Sequence, residues 1–180
     1  TGNLSYRHFS YNEMNLSRQL NAAATATVPA YTLIDPGYLN YRIVSTRYLG
    51  ENIKSKGVNI IYPVGGHAVY VDAKSLYPQI PSHEYPGQAL VCELYRIGGL
   101  RSVEIGSVMF GKYDSNGKLI PAPMELVRLA VPRRVYTQSH IDYVIEIFDE
   151  IVRTKDKVKG LKIVKEPQFL RHFTAHFEPL

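Results

Sequence analysis

Residues 126–131 read Leu-Val-Arg-Leu-Ala-Val, a run of apolar side chains broken by one arginine and followed by Pro132. A short apolar run ended by a proline predicts a buried strand. Arg128 then constrains whatever surrounds that strand, because an unpaired buried guanidinium costs several kcal/mol. Its planar fork fits a carboxylate or a phosphate. A structural ion pair with a core Asp or Glu would meet that demand, and so would a bound anionic ligand.

The 180 residues suffice for one packed domain with an appendage, and 45% hydrophobic with 21% charged residues speaks for a globular core rather than disorder. No run reaches the apolar length of a membrane span and no signal peptide opens the chain, so a cytoplasmic protein without a membrane partner is the expectation. The lone Cys92 cannot form an internal disulfide, and the six histidines lack ligand spacing, so no metal site is expected. A net charge of +5 favours anions, but basic residues alternate with acidic ones, as in Lys-Asp-Lys-Val-Lys at 155–159. No nucleic-acid partner is expected.

Local patterns place the elements. A helix is predicted over 36–56, with Leu39, Ile43, Thr46, Gly50 and Ile53 on one face, Leu49 at its edge and Gly57 as the stop. Strands are predicted at 58–64, 67–72 and 100–110, the last broken at Gly106, and a helix at 87–97 ended by Gly98-Gly99. Asn116-Gly117 marks a hairpin turn ahead of the arginine strand. Ile141, Val144, Ile145, Phe148, Ile151 and Val152 define the clearest amphipathic helix, capped by Thr137 or Ser139. Two final strands, 161–166 and 169–177, are predicted around Pro167, the second with Phe169, Arg171, Phe173, Ala175 and Phe177 on one face and Leu170, His172, Thr174 and His176 on the other. The fold class is α+β, a mostly antiparallel sheet with about three covering helices.

Longer motifs carry a resemblance. Gly65-Gly66-His67-Ala68-Val69-Tyr70-Val71-Asp72-Ala73, Pro86-Gly87-Gln88-Ala89-Leu90, Arg101-Ser102-Val103-Glu104-Ile105-Gly106, Val127-Arg128-Leu129-Ala130-Val131-Pro132 and Leu170-Arg171-His172-Phe173-Thr174-Ala175 follow one another in order. In them the chain resembles the C-terminal part of the pyridoxal-phosphate-dependent β-eliminating lyases, the family of the tryptophan and tyrosine lyases. The resemblance covers 37–180, implying the small C-terminal domain of a fold-type I enzyme, and leaves 1–36 as an unmatched N-terminal segment or connector.

It further implies that Arg128 binds the substrate α-carboxylate, that Ile105 and Phe173 line the side-chain pocket, and that His172 shapes that pocket or its proton transfers. Ile105 and His172 point to the tryptophan branch, whose members release indole, pyruvate and ammonia from L-tryptophan. The tyrosine branch has Arg and Phe at these positions. The family's cofactor is held mainly by a large domain whose aldimine lysine has no counterpart here, and the full enzyme uses potassium and forms a homo-oligomer, a tetramer. The chain alone is therefore expected to be inactive. A non-catalytic interaction or amino-acid-binding module derived from the family, and a tyrosine lyase-like enzyme, stay open as alternatives.

Overall fold

The computed structural model describes residues 36–132, 135–167 and 169–180. Apart from Pro36, the N-terminal segment set apart in the sequence lies outside the described residues. Pro36 opens helix α1, Pro36–Ser55, where its fixed φ suits a first turn. Gly57 follows at φ 81°, a left-handed conformation that glycine adopts without steric cost. The buried face of α1 is Tyr38, Thr46, Leu49, Gly50 and Ile53. Leu39 and Ile43, expected inside, are 41% and 43% exposed. The apolar period runs through both halves of the helix, but only Leu49 and Ile53 in the second half enter the main core.

The strand expected at 58–64 does not form. Ile60 makes a single antiparallel bridge to Val71, and the Ile61 N–H donates to the Tyr70 carbonyl at 2.8 Å. Pro63 has no N–H to continue the ladder.

The central sheet consists of β1 (Ala68–Asp72), β2 (Val103–Ile105) and β5 (Leu126–Ala130), in the order β1-β5-β2 and antiparallel throughout. Between β2 and β5 lie a helical turn, α4 (Ser107–Phe110), and a small hairpin, β3 (Lys112–Tyr113) with β4 (Leu119–Ile120). The hairpin turns at Gly117, φ 76°, with the Asp114 carboxylate accepting from the N–H groups of Asn116 and Lys118. That turn is the one Asn116-Gly117 predicted. The second half of the 100–110 strand is not strand; beyond Gly106 the chain coils into α4.

Because strand side chains alternate, the register opposes Val69 to Leu129 and Val71 to Val127 on one face of the sheet. These four pack with Leu90 and Leu94 of α3 (Pro86–Gly98), with Leu49 and Ile53 of α1, and with Phe148 and Ile151 of α5 (Gln138–Thr154). A short helix α2 (Ala73–Leu76), begun by the Asp72 carboxylate on the Ser75 N–H, adds Leu76 to this core. Phe148 is fully buried, worth about 1.5–3 kcal/mol from its apolar area. Helix α5 begins at Thr137, as expected, and the Thr137 N–H donates to Nδ1 of His140 at 3.2 Å.

The last predicted strand pair is only half present. β6 (Leu161–Lys165) pairs with β7 (His176–Pro179), but 171–174 is a helical turn, α6 (Arg171–Thr174), entered through Leu170 at φ 58°. The two-faced alternation read over 169–177 therefore does not exist. Contacts made by Arg171, described below, draw this segment away from the β6 ladder. Among the described residues no helix is long and apolar enough to cross a membrane.

Helices α3 and α5 meet closely where Gly98 faces Ile147. A Cβ on Gly98 would lie 2.6 Å from Cγ1 and 2.7 Å from Cδ1 of that residue. Gly98→Ala is expected to destabilise the fold by about 1–3 kcal/mol through overpacking. Denaturant unfolding will show the loss, and adding Ile147→Val, which removes one of the clashing atoms, should recover part of it.

Candidate functional site

Strand β5 alternates its side chains, so Arg128 emerges on the sheet face opposite the helices. Tyr70 of β1 and Val103 of β2 oppose it across the ladder. Ile105 opposes Leu126, two residues from Arg128 on the same face. Arg128 is thus not sealed in the core, as the apolar run suggested. It is half-buried, with its Nε shielded from solvent, on a face where Tyr70, Asp72, Val103, Ile105 and Leu126 are also half-buried. The structure does bring Arg128 and Ile105 together, diagonally across neighbouring strands, at a separation of about 7–8 Å by ordinary sheet geometry.

Glu104 points the other way, opposite Val127, and is 4% exposed. Its carboxylate accepts the N–H groups of Val108 and Met109, each at 3.1 Å, which is why the chain turns into α4 after Gly106. A second buried carboxylate, Glu125, accepts the Ser107 N–H at 3.2 Å and the Ser107 hydroxyl. That hydroxyl in turn accepts the Ala122 N–H at 2.9 Å. Both carboxylates crowd Gly106, where a Cβ would meet Glu125 Oε2 and lie 2.7 Å from Glu104 Oε1. Only glycine leaves room for them.

Burial pushes the Glu104 carboxyl up to about 7; the Val108 N–H holds it down and the neighbouring Glu125 charge adds to the rise. Burial raises Glu125 too, moderated by the Ser107 hydroxyl and N–H and by the Lys74 charge. Neither group was singled out from sequence. The available signal was a charged residue between two apolar strand positions, Val103-Glu104-Ile105.

His172 and Phe173 stand on α6 with ring centroids 3.8 Å apart. His172 is half-buried with Nε2 shielded, and burial lowers its pKa. The segment reaches the Ile105 region through Arg171, whose Nη2 donates to the Ser107 carbonyl at 2.9 Å, two residues beyond Ile105. The sequence placed Arg171 in a strand alternation and in a family motif without pointing to this role.

Several lysines are engaged away from the Arg128 face. Lys56 pairs with Asp149 at 2.6 Å, Lys74 donates to the Ile80 carbonyl at 2.5 Å, Lys54 lies 4.6 Å from the centre of the Tyr62 ring, and Lys162 pairs with Glu178 at 3.2 Å. Among the described residues no group of three or more His, Cys, Asp or Glu is placed to hold a metal ion.

A sequence profile described as "Beta-eliminating lyase" matches residues 14–147 and so extends into the 1–36 segment that the motifs left unmatched. The chain belongs to the β-eliminating lyase family. Among its relatives in this family, the tryptophanase of Salinibacter ruber is 56% identical over 162 residues, 90% of this chain and 34% of that protein. The tryptophanase of Hyphomonas neptunium is 54% identical over 148 residues, 82% of this chain and 32% of that protein. The tryptophanase of Rhodobacter capsulatus is 50% identical over 163 residues, 91% of this chain and 35% of that protein. The chain spans about a third of the length of these relatives.

The buried carboxylates give this lyase chain a pH signature. Glu104 keeps its proton when folded up to about pH 7 but loses it near 4.5 when unfolded, so its contribution to stability falls as pH rises through that window and is level above it. The fall is on the order of 3 kcal/mol. Denaturant titrations from pH 4.5 to 8 should show Glu104→Gln, which cannot ionise, losing markedly less stability over this range than the wild type. Parallel curves would refute the assignment.

Proposed function

We propose that this chain forms the substrate-recognising side of a pyridoxal-phosphate-dependent lyase that converts L-tryptophan and water into indole, pyruvate and ammonia. The observation that carries the reading is the shared sheet face, opposite the helices, on which Arg128 and the apolar Ile105 stand together. Membership of the β-eliminating lyases and the tryptophanase relatives support it.

In this reading Arg128 grips the substrate α-carboxylate through two parallel N–H donors, which fixes the orientation of the bonds at Cα. Ile105 walls the indole and excludes water from it. An apolar wall there offers nothing to a phenol hydroxyl, which favours tryptophan over tyrosine. His172, whose pKa burial lowers, stands at the indole side and shapes that pocket or the proton transfers to the ring. Phe173 packs against the imidazole and keeps its plane.

Lys54, Lys56, Lys74 and Lys162 do not fit a cofactor site. Lys56 is tied to a carboxylate and Lys74 to a backbone carbonyl, and none of the four described above lies on the strands that carry Arg128 and Ile105. No cofactor step is therefore assigned to this chain. Pyridoxal phosphate and potassium are assigned to a large domain of the same enzyme, and the working unit to a cytoplasmic homo-oligomer.

In the assembled lyase, Arg128→Ala is expected to lower kcat/KM for tryptophan on the order of a hundredfold or more, since it strands a carboxylate without its partner. The 180-residue chain by itself, mixed with pyridoxal phosphate, should release no indole from L-tryptophan. Turnover by that chain alone would overturn the division of labour, and an Arg128→Ala enzyme of normal kcat/KM would remove Arg128 from the carboxylate.

A further inference from the structure

Arg171 makes four charge-assisted hydrogen bonds. Its Nε donates to the Val108 carbonyl at 2.8 Å, and its Nη2 donates to the carbonyls of Ser107 at 2.9 Å and Gly111 at 2.5 Å. Nη1 donates to Glu166 Oε1 at 3.2 Å. The side chain is 11% exposed, and its guanidinium lies 5.4 Å from the centre of the Tyr113 ring. The Tyr113 hydroxyl donates to the other Glu166 oxygen at 2.7 Å, closing the cluster.

Three of these acceptors belong to one turn, the α4 segment that directly follows Ile105. The donor belongs to the residue next to His172. The turn is shaped to receive the fork, because a Cβ on Gly111 would strike the Ser107 carbonyl and lie 3.2 Å from Arg171 Nη2. On the far side, Glu104 and Glu125 hold the same turn by its N–H groups. Carboxylates thus take the amides and the guanidinium takes the carbonyls, leaving the turn little freedom to rotate.

We infer that Arg171 is a positioning residue for leaving-group recognition, setting the distance between the Ile105 wall and His172. This rests on the roles proposed above for Ile105 and His172. A planar, five-donor guanidinium can serve three carbonyls and a carboxylate at once, whereas a lysine ammonium has only three donors and no fixed plane. The role separates from that of Arg128, which meets a carboxylate common to every amino-acid substrate. Arg171 should matter only when the leaving group is large enough to touch the wall.

The test is a ratio of specificities in the cofactor-loaded enzyme, measured with L-tryptophan and with an S-alkyl-L-cysteine, whose thiolate leaving group is small. Arg171→Met is expected to lower kcat/KM for tryptophan about tenfold or more while moving that for the thioether by less than about threefold. Arg171→Lys should fall in the same direction and not rescue. Gly111→Ala perturbs the staple from its other side, and should lower the ratio without touching the cation; it decides the matter if the Arg171 variants do not fold. Equal losses on both substrates, or none on either, would overturn the inference. Ile105→Ala serves as the reference. If it lowers the ratio and Arg171→Met does not, Arg171 alone loses its role, and if Ile105→Ala leaves the ratio unchanged, the proposed indole wall itself fails and the inference with it.

Discussion

The structure depends on the antiparallel register of β5 between β1 and β2. With a side-chain period of two, that register sends Val127 and Leu129 into the helices and Arg128 out the other side. A slip of one residue would bury the guanidinium among Leu90, Leu94 and Phe148 and expose Val127 and Leu129. The apolar packing of the helix face therefore fixes Arg128 on the opposite face of the sheet.

A second layer of order is polar. Glu104 and Glu125 are buried beside one another, which in an apolar setting would be strongly unfavourable. Here they accept N–H groups and a hydroxyl of the Gly106–Met109 turn, and the raised pKa of both records the residual cost of their burial. Arg171 completes the arrangement from the carbonyl side of the turn. A segment that would otherwise extend β2 is held as a compact corner beside Ile105. Sites built on such over-determined corners keep their geometry because several independent bonds must break before a wall residue can move.

The family assignment gives these features a common meaning. Relatives named tryptophanase match this chain over most of its length, and the chain spans about a third of theirs. In the function proposed above, the sheet face with Arg128 and Ile105 completes a substrate pocket, and the polar corner sets how sharply that pocket discriminates.

Local sequence by itself determined the three long helices, the Asn116-Gly117 hairpin and the strands around Asp72 and Arg128. Each is written in a periodicity or a turn residue that acts within a few positions. The ordered motifs also carried the resemblance to the β-eliminating lyases, which the profile match bears out. Only the tertiary structure decided that Arg128 leaves the core, since a six-residue apolar run does not say which of its faces is covered. It likewise turned 107–110 and 171–174 from predicted strands into helical turns. The forces that did so, carboxylates of residues 104 and 125 on backbone amides and the guanidinium of Arg171 on carbonyls some sixty residues away, link segments that no local pattern connects.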